Sequence, residues 1–417
     1  MDPKKLMFNC FKRYYRKNPD IVVPNNIKQR EFGFILFIND EMIRHTAFPS
    51  REELVKYLKE KVPRHAYYST AYYVDPSAPD MASKGWLGAD LVFDIDVDHI
   101  PTDCKADHDF YLCQDCGGIS ISGEQCSVCG SSRIKKVTWV CERCLDVARE
   151  HALRLIDILI SDFGFSSNEI EIVFSGHRGY HIHVQNKDIL ELGQDGRREI
   201  LDYVRGEGID FRFLPGFNIP RKGSKSISAS IDSRGWPGRI MRSLYNIILN
   251  LNENNFHEIL SREIERDDLE YILENRSFFL EELENPDKGY VNLLKLRRKT
   301  LLALLESAVD FSKVIVDEKV TIDTKRLIRL PGSLHGKTGM AVRKILFSDL
   351  ENKSPVDYAI VFAENEYFKI KAKFFPRHIL DFKIEDRKGN GYIVVPKYIA
   401  IYLIGNASEI VEAIEVI

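Results

Sequence analysis

The sequence predicts an α/β protein of the α+β kind, with a sheet core, a metal-held insertion and a separate helical region. Helical periodicity dominates from about 192 to 312. Seven of the 8 cysteines fall between 104 and 144, a stretch poor in aliphatic residues. Because strand patterns flank both regions, the outer segments are expected to pair and complete one core. The strand patterns lie at 32–38, 42–48, 91–95, 170–174, 180–184, 340–347, 367–375 and 391–396.

The chain has 417 residues, which is long for one hydrophobic core. The order of the patterns predicts that it is divided into a core, an insertion and a helical subdomain. We expect the core to comprise residues 1–190 and 313–417, with a zinc-binding insertion at 101–146. A helical subdomain is expected at 191–312.

Composition and charge exclude several classes of protein. With 44% hydrophobic and 29% charged residues, the chain is typical of a soluble globular protein. No stretch approaches the roughly 20 apolar residues needed to span a bilayer, and no signal peptide is evident, so we expect a cytoplasmic protein. A net charge of −3 argues against holding nucleic acid by bulk electrostatics. Local basic clusters, such as those at 221–225 and 295–299, are each more typical of a solvated face.

The first candidate site lies on the strand around 91–96. Alternation sends Leu91, Phe93 and Ile95 to one side, and it sends the aspartates to the other. Neighbouring carboxylates repel one another and are tolerated where a divalent cation lies between them. A solvated acidic strand end explains this motif alone equally well. The aspartates of that face are Asp90, Asp94, Asp96 and Asp98.

The cysteine-rich stretch predicts two structural zinc sites. It contains three Cys-x2-Cys pairs and one Cys-x3-His, which together supply eight ligands. In the favoured nested arrangement, an inner ribbon of four cysteines lies between the two halves of an outer site. Sequential pairing of the ligands is the alternative. The inner ligands are Cys113, Cys116, Cys126 and Cys129, and the outer ligands are Cys104, His108, Cys141 and Cys144.

A second chemical cluster occupies the turn between the strands at 170–174 and 180–184. Its glycines let a ligand approach the backbone closely, and Ser175 and the turn amides can donate to phosphate oxygens. Arg178 can bind phosphate with two hydrogen bonds, and His181 follows on the next strand. A surface hairpin turn is the less demanding alternative.

A third cluster spans 314–337. Val314 to Val316 predict a strand that ends in Asp317, which would supply a third carboxylate for two cations. Asp323 is expected to cap a short helix that carries Arg329. Arg329 and His335 are then available for a triphosphate.

Together these residues resemble the small, catalytic subunit of archaeal and eukaryotic DNA primases, in its archaeal form. The likeness covers essentially the whole chain, from Arg30-Glu31-Phe32-Gly33-Phe34 to the run ending at His335. Between them lie the acidic strand, a zinc knuckle and a Ser-Gly-x-x-Gly-x-His turn. Their shared order is more specific than any single motif.

The resemblance implies the primase fold, with an RRM-like unit in an α/β core, a zinc-binding insertion and a helical subdomain. It implies that Asp94, Asp96 and Asp317 bind two Mg²⁺ or Mn²⁺ ions. Family members often carry Arg or Lys at the position of His177. The family's single zinc corresponds to the outer site, so the four-cysteine ribbon is an additional insertion. The implied nucleotide-binding residues are Ser175, His177, Arg178, His181, Arg329 and His335.

The implied activity is that of a nucleotidyltransferase, a DNA-directed RNA polymerase of the primase type. It would make short primers from NTPs on single-stranded DNA during replication, with the primase large subunit as partner; use of dNTPs is left open. A metal-dependent nuclease or phosphatase would explain the carboxylates but not the Arg/His/Gly cradle. A noncatalytic zinc-ribbon protein that binds nucleic acid would explain the cysteines but not the paired carboxylates.

Overall fold

The computed structural model describes residues 2–17, 20–121, 123–260, 262–362, 365–385 and 391–417. Its α-helices are α1 Pro3–Arg16, α2 Arg51–Lys61, α3 Lys105–His108, α4 Glu142–Ser161, α5 Gln194–Arg205, α6 Gly235–Asn250, α7 Phe256–Ile259, α8 Arg266–Glu274, α9 Arg276–Glu284, α10 Val291–Lys295, α11 Arg298–Ser312, α12 Glu318–Ile322, α13 Phe347–Asn352, α14 Pro355–Ala359 and α15 Lys397–Ala407.

Its strands are β1 Phe32–Ile35, β2 Met42–Thr46, β3 His65–Ser69, β4 Ala71–Tyr73, β5 Trp86–Ala89, β6 Leu91–Asp96, β7 Phe110–Cys113, β8 Ile119–Ser120, β9 Ile134–Val137, β10 Ile170–Phe174, β11 Gly179–Val184, β12 Phe217–Asn218, β13 Ser226–Ile227, β14 Leu327–Arg329, β15 Arg343–Ile345, β16 Tyr367–Ala372, β17 His378–Ile379, β18 Phe382–Lys383, β19 Tyr392–Pro396 and β20 Val411–Val416. No helix within the described ranges is long and apolar enough to cross a membrane.

The chain folds into two compact units. The sheet unit comprises Met1–Leu153, Asn168–Arg197 and Val316–Ile417, and the helical unit comprises Arg154–Ser167 and Arg198–Ile315. Residues 154–167, which we expected in the core, thus fall in the helical unit. One physical reason is that the guanidinium of Arg239 pairs with Asp157 at 2.6 Å and Asp162 at 2.8 Å.

Two antiparallel four-stranded sheets form the centre of the sheet unit. Their strand orders are β14-β3-β1-β2 and β15-β10-β11-β6. Strands β14 and β15 come from the C-terminal part of the chain and pair with β3 and β10. The expected completion of the core by distant segments is therefore confirmed.

Strand β6 lies at an edge of the second sheet and carries the alternation that the sequence predicts. Leu91, Phe93 and Ile95 are fully buried, whereas Asp94 and Asp96 are partly exposed. On the neighbouring strand β11, His181 lies opposite Asp94 and Gly179 lies opposite Asp96. The polar residues of both strands therefore share one face.

The cysteine-rich insertion forms the small sheet β8-β7-β9 within the sheet unit, and the C-terminal residues form the sheet β19-β16-β20. The helical unit has its own hydrophobic core. Helices α6 and α11 contribute much of it, with side chains that include Ile240, Leu244, Leu301 and Leu304.

The region around Asp317 departs from the prediction. Residues 314–316 form no strand, and Asp317 is the N-cap of α12, where its carboxylate accepts a hydrogen bond from the Lys319 amide at 2.9 Å. Helix α12 ends at Ile322, so Asp323 does not cap a helix that carries Arg329. Arg329 lies instead on strand β14. An apolar β-branched run indicates burial, but a strand also requires a neighbour to pair with.

Candidate active site

Three aspartates that are far apart in the sequence meet at the end of β6. The backbone amide of Asp317 donates to the backbone carbonyl of Asp94 at 2.9 Å. Asp96 is two residues beyond Asp94 on the same face of the strand. The fold therefore brings Asp94, Asp96 and Asp317 to one place.

The approach of the three aspartates concentrates negative charge at the end of β6. Burial, followed by the nearby carboxylates of Asp96 and Asp317, raises the pKa of Asp94 to about 7. In the described chain the oxygens of the three carboxylates do not all approach within 4.8 Å of one another. Oxygen-rich, crowded carboxylates are the ligand chemistry that Mg²⁺ and Mn²⁺ prefer, so the residues present fit such ions.

The other two aspartates of the acidic face have cationic partners. Asp90 is almost fully buried and pairs with the buried Arg30 at 2.7 Å, which gives it a structural role. Asp98 pairs with Arg178.

Arg178 is anchored on the acidic side of the site. Its Nε donates to Asp96 at 2.8 Å, and its Nη1 donates to the hydroxyl of Thr138 at 2.6 Å. Together with the pair to Asp98, these contacts hold the guanidinium beside the strand end. Arg178 thus partly neutralises the acidic cluster.

The turn between β10 and β11 requires its glycines. Gly176 has φ +75°, a conformation that side chains disfavour. A Cβ on Gly179 would lie 1.7 Å from the carbonyl oxygen of Ile95, so β6 and β11 approach closely only because this residue is glycine. The Ser175 amide donates to the Gly179 carbonyl at 2.9 Å, which closes the turn.

His181 lies beside the aspartates as an uncharged imidazole. Its Nε2 is 3.7 Å from a carboxylate oxygen of Asp94. Burial lowers the pKa of His181 well below its usual value, and His183 adds to this effect. Nδ1 of His181 is buried without a hydrogen-bond partner among the described residues. His183 points into the interior, where its ring stacks on Tyr68.

Arg329 and three histidines form a second group. Nη1 of Arg329 lies 2.6 Å from Nδ1 of His65, and its guanidinium lies 4.9 Å above the centre of the Tyr67 ring. The ring of His335 stacks on His177 with centroids 4.6 Å apart and meets the edge of His65 at 5.0 Å. Burial is the main reason why the pKa values of these three histidines lie well below the usual range.

The hydrogen bonds define which nitrogen of His65 carries its proton. Nδ1 accepts from Arg329 and also from the Gly336 amide at 3.2 Å, so the proton of the neutral ring lies on Nε2. Lys337 is nearby, and burial followed by the charge of Arg178 lowers its pKa. The second group is therefore cationic and rich in N–H donors.

Sequence reasoning missed His65, Tyr67 and Lys337. His65 and Tyr67 lie on β3, which pairs with β14 so that Tyr67 is opposite Arg329. No local motif marks them, because their relevance depends on that long-range pairing. Lys337 directly follows His335 and Gly336. Its positive charge within the third cluster could have identified it as a candidate for the site.

The eight metal-ligand candidates form two groups in the nested order. Within each group the ligand atoms all lie within 4.8 Å of one another. Four sulfur–sulfur distances within the groups lie between 3.4 and 3.8 Å. Tetrahedral zinc with Zn–S bonds of about 2.3 Å requires about 3.8 Å between sulfurs, so the geometry is compatible with zinc. The groups are Cys104, His108, Cys141 and Cys144, and Cys113, Cys116, Cys126 and Cys129.

Neighbouring groups orient these ligands. Nδ1 of His108 lies 2.9 Å from a carboxylate oxygen of Asp109, and its Nε2 lies 3.3 Å from the sulfur of Cys144. A carboxylate behind a histidine is a common arrangement around protein-bound metals. In the inner group, the Gly118 and Val128 amides donate to the sulfurs of Cys116 and Cys126. Both groups are thus preorganised for a metal ion.

Comparison with known proteins identifies the family. The family model described as DNA primase small subunit matches residues 133–346. The chain is 34% identical to the DNA primase small subunit PriS of Methanosarcina acetivorans, over 97% of this chain and 96% of that protein. The chain belongs to the DNA primase small subunit family. PriS of Methanosarcina barkeri is 35% identical over 94% of this chain and 93% of that protein, and PriS of Pyrobaculum calidifontis is 34% identical over 94% and 95%.

Membership of the DNA primase small subunit family establishes the class of activity. These proteins are nucleotidyltransferases that synthesise primers for DNA replication. The nuclease or phosphatase and the noncatalytic zinc-ribbon protein are therefore set aside. The resemblance found in the motifs is confirmed at the level of the family.

Proposed function

We propose that the chain makes primers by two-metal nucleotidyl transfer, with Asp94, Asp96 and Asp317 holding two Mg²⁺ or Mn²⁺ ions. The observation that carries this proposal is the 2.9 Å hydrogen bond between the Asp317 amide and the Asp94 carbonyl. The resulting charge density, which raises the pKa of Asp94 to about 7, supports it. A cluster that disfavours its own ionisation gains most from binding cations.

When bound, such ions lower the pKa of a primer 3′-hydroxyl and stabilise the leaving pyrophosphate. The protein's own part is positioning. Asp317 is held by its role as N-cap of α12, and Asp96 is held by Arg178. The carboxylates therefore stay in place without a large rearrangement, which preserves the geometry of the reacting groups.

A set of donors beside the aspartates is proposed to hold the incoming triphosphate. Neutral histidines offer N–H groups, and Arg329 supplies positive charge that Tyr67 and His65 keep in position. His177 stacks on His335 and has an unpaired Nε2 in the described chain. The proposed nucleotide-binding residues are Ser175, His177, Arg178, His181, Arg329 and His335.

Single-stranded DNA is the proposed template and NTPs are the proposed substrates. A net charge of −3 favours weak template binding by the chain alone. We therefore propose the primase large subunit as a partner that increases template affinity. The sheet unit, as the catalytic core, would contain every proposed catalytic residue.

Both cysteine-rich groups are proposed to bind Zn²⁺ in structural roles. Each group provides four protein ligands, which saturate tetrahedral zinc and leave no position for a reacting water. The outer group would join α3 to the start of α4, and the inner group would hold the turns around β7 and β8.

Primer synthesis with labelled NTPs on single-stranded DNA tests the catalytic assignment. Asp94→Ala and Asp96→Ala should each reduce product by about 100-fold or more while the protein still folds, because removing a crowded carboxylate relieves repulsion. Asp323→Asn is the matched control, since among the described residues its carboxylate accepts only from the Lys325 amide in a nearby turn. Normal product from either alanine variant would contradict the proposal.

A further inference from the structure

Two basic segments of the helical unit take no part in the proposed catalytic site. One is the loop at 219–225 that joins β12 to β13, and the other is 295–299, which runs from the end of α10 into the first turn of α11. In the fold these segments meet. Nη2 of Arg298 donates to the Gly223 carbonyl at 3.0 Å, and the Lys225 ammonium donates to the Leu296 carbonyl. Two sequence clusters therefore become one surface.

The cations of segment 295–299 fall into two classes. Arg297 pairs with Asp267 at 2.9 Å, and Lys299 pairs with Glu265 at 3.7 Å. Lys295 and Arg298 have no carboxylate within 4 Å among the residues that the structure describes. The same holds for the three cations of the loop. We call these five unpaired residues the loop patch: Arg221, Lys222, Lys225, Lys295 and Arg298.

One hydrogen-bond donor at the centre of the loop patch has no acceptor among the described residues. Nη1 of Arg298 is buried and has no partner within the described ranges. A buried donor on a charged group destabilises the protein unless an acceptor reaches it. Burial and the charge of Arg298 lower the pKa of Lys225, with Asp268 as the opposing charge. Two carboxylates near the loop patch already have other partners. Asp268 accepts a hydrogen bond from Thr300, and Asp210, which lies near Arg221, pairs with Arg212.

The start of α11 adds a further attraction for anions. The helix has 15 residues, no acidic residue in its first turn and no side-chain cap. Uncapped first-turn amides and the helix dipole favour a negatively charged ligand at this end. Arg221, Lys222 and Lys295 are exposed around this centre. The surface therefore suits several linked phosphates better than one isolated anion.

We propose that the loop patch binds the phosphodiester backbone of single-stranded nucleic acid, as a contact for the template in the helical unit. The patch concentrates positive charge on a chain whose net charge is −3. Phosphate contacts position a strand without reading its sequence, so binding at the loop patch is independent of base sequence. The identity of the strand as template rests on the proposed function.

Fluorescence anisotropy with a labelled oligo(dT) tests the proposal on the full chain. The double variant Arg221→Glu, Lys222→Glu should bind about tenfold more weakly, and the salt dependence of log K should fall by about 0.7 for each lost contact. The control is Arg262→Glu, Arg266→Glu, which makes the same charge change in the same unit at cations paired with Glu306 and Glu270. The control should bind within about twofold of the parent chain.

Several outcomes overturn the proposal. Equal affinity of the loop-patch variant and its control would do so. Competition with inorganic phosphate provides a second test. If inorganic phosphate displaced the labelled oligo(dT) as strongly, per phosphate group, as unlabelled oligo(dT) does, the patch would be a site for isolated anions and the proposal would be wrong. If the double glutamate variant does not fold, Lys222→Gln with Lys295→Gln provides the same comparison at two exposed residues.

Failure of this proposal can be told apart from failure of the proposed function. Asp94→Ala should bind oligo(dT) like the parent chain and still show the loss of primer synthesis, by about 100-fold or more, expected above. The loop-patch variant should recover primer synthesis at saturating template. A loop-patch variant that binds normally but makes no primer would contradict a role in template binding.

Discussion

At the scale of single residues, Asp94 is held in an environment that disfavours its charge. Its pKa of about 7 in the folded protein lies above the ordinary value of 3.8. The folded state therefore holds this proton more tightly than the unfolded state does. Stability falls as pH rises from about 4 to about 7, and the loss is complete above pH 7.

Asp94→Asn should therefore stabilise the protein in the absence of Mg²⁺ and Mn²⁺. The gain should be largest at pH 8, where it is about 4 kcal/mol at most, and should shrink as pH falls toward 5.5. Urea unfolding followed by circular dichroism measures it. An Asp94→Asn gain that is independent of pH would contradict the explanation.

His65 is expected to act on the proposed nucleotide-binding site through Arg329. Because its Nδ1 accepts from Arg329, His65→Leu should leave that guanidinium without its partner and raise KM for NTPs by about tenfold. His65→Gln retains an acceptor and should recover part of the effect. Steady-state primer synthesis at varied NTP concentration separates KM from kcat, and an unchanged KM in His65→Leu would exclude the positioning role.

At the scale of elements, the site depends on the close approach of β6 and β11. Their register places Gly179 opposite Asp96 and His181 opposite Asp94. The backbone atoms of Ile95 leave no room for a side chain at Gly179. The position of the proposed catalytic carboxylates is thus coupled to one glycine.

Gly179→Ala should destabilise the protein by about 3 kcal/mol and reduce primer synthesis strongly, because the two strands must move apart. Gly193→Ala is the matched control, since a Cβ there would have no neighbour within 4 Å. Thermal melting and primer synthesis on both variants provide the test. Equal stability of the two variants would show that the strands can accommodate the methyl group.

The two cysteine-rich groups should differ in their importance for folding. All four outer ligands are buried, whereas Cys116 and Cys129 of the inner group are exposed. Cys126→Ser should lower the bound zinc from two ions to one with a small change in Tm. Cys144→Ser should cause the same loss of zinc with a much larger fall in Tm, because Cys144 lies on α4 in the interior. Metal analysis and melting curves distinguish the two, and equal Tm values would contradict this ranking.

At the scale of the whole molecule, segments that are far apart in the sequence complete the same two sheets. Residues after 315 supply β14 and β15, which close the two central sheets, and they also supply Asp317. The proposed active site therefore cannot form from the first part of the chain alone. Family membership, which extends over nearly the whole length, agrees with this dependence.

Much of the fold was predictable from local patterns. The alternation at 91–96 and the strands at 170–174 and 180–184 all correspond to elements of the structure. The nested grouping of the zinc ligands was the favoured interpretation of their spacing, and the structure has it. Each of these features depends on residues close together in the chain or on a short-range ligand geometry.

The sequence by itself determined the family, the alternation that exposes Asp94 and Asp96, and the ligands available for metal. Only the tertiary structure decided that 314–316 is not a strand, that Asp317 caps α12, and that His65 contacts Arg329. The physical reason is that these features depend on which distant backbone or side chain lies alongside. Periodicity reports whether a residue is buried, but it does not report which partner buries it.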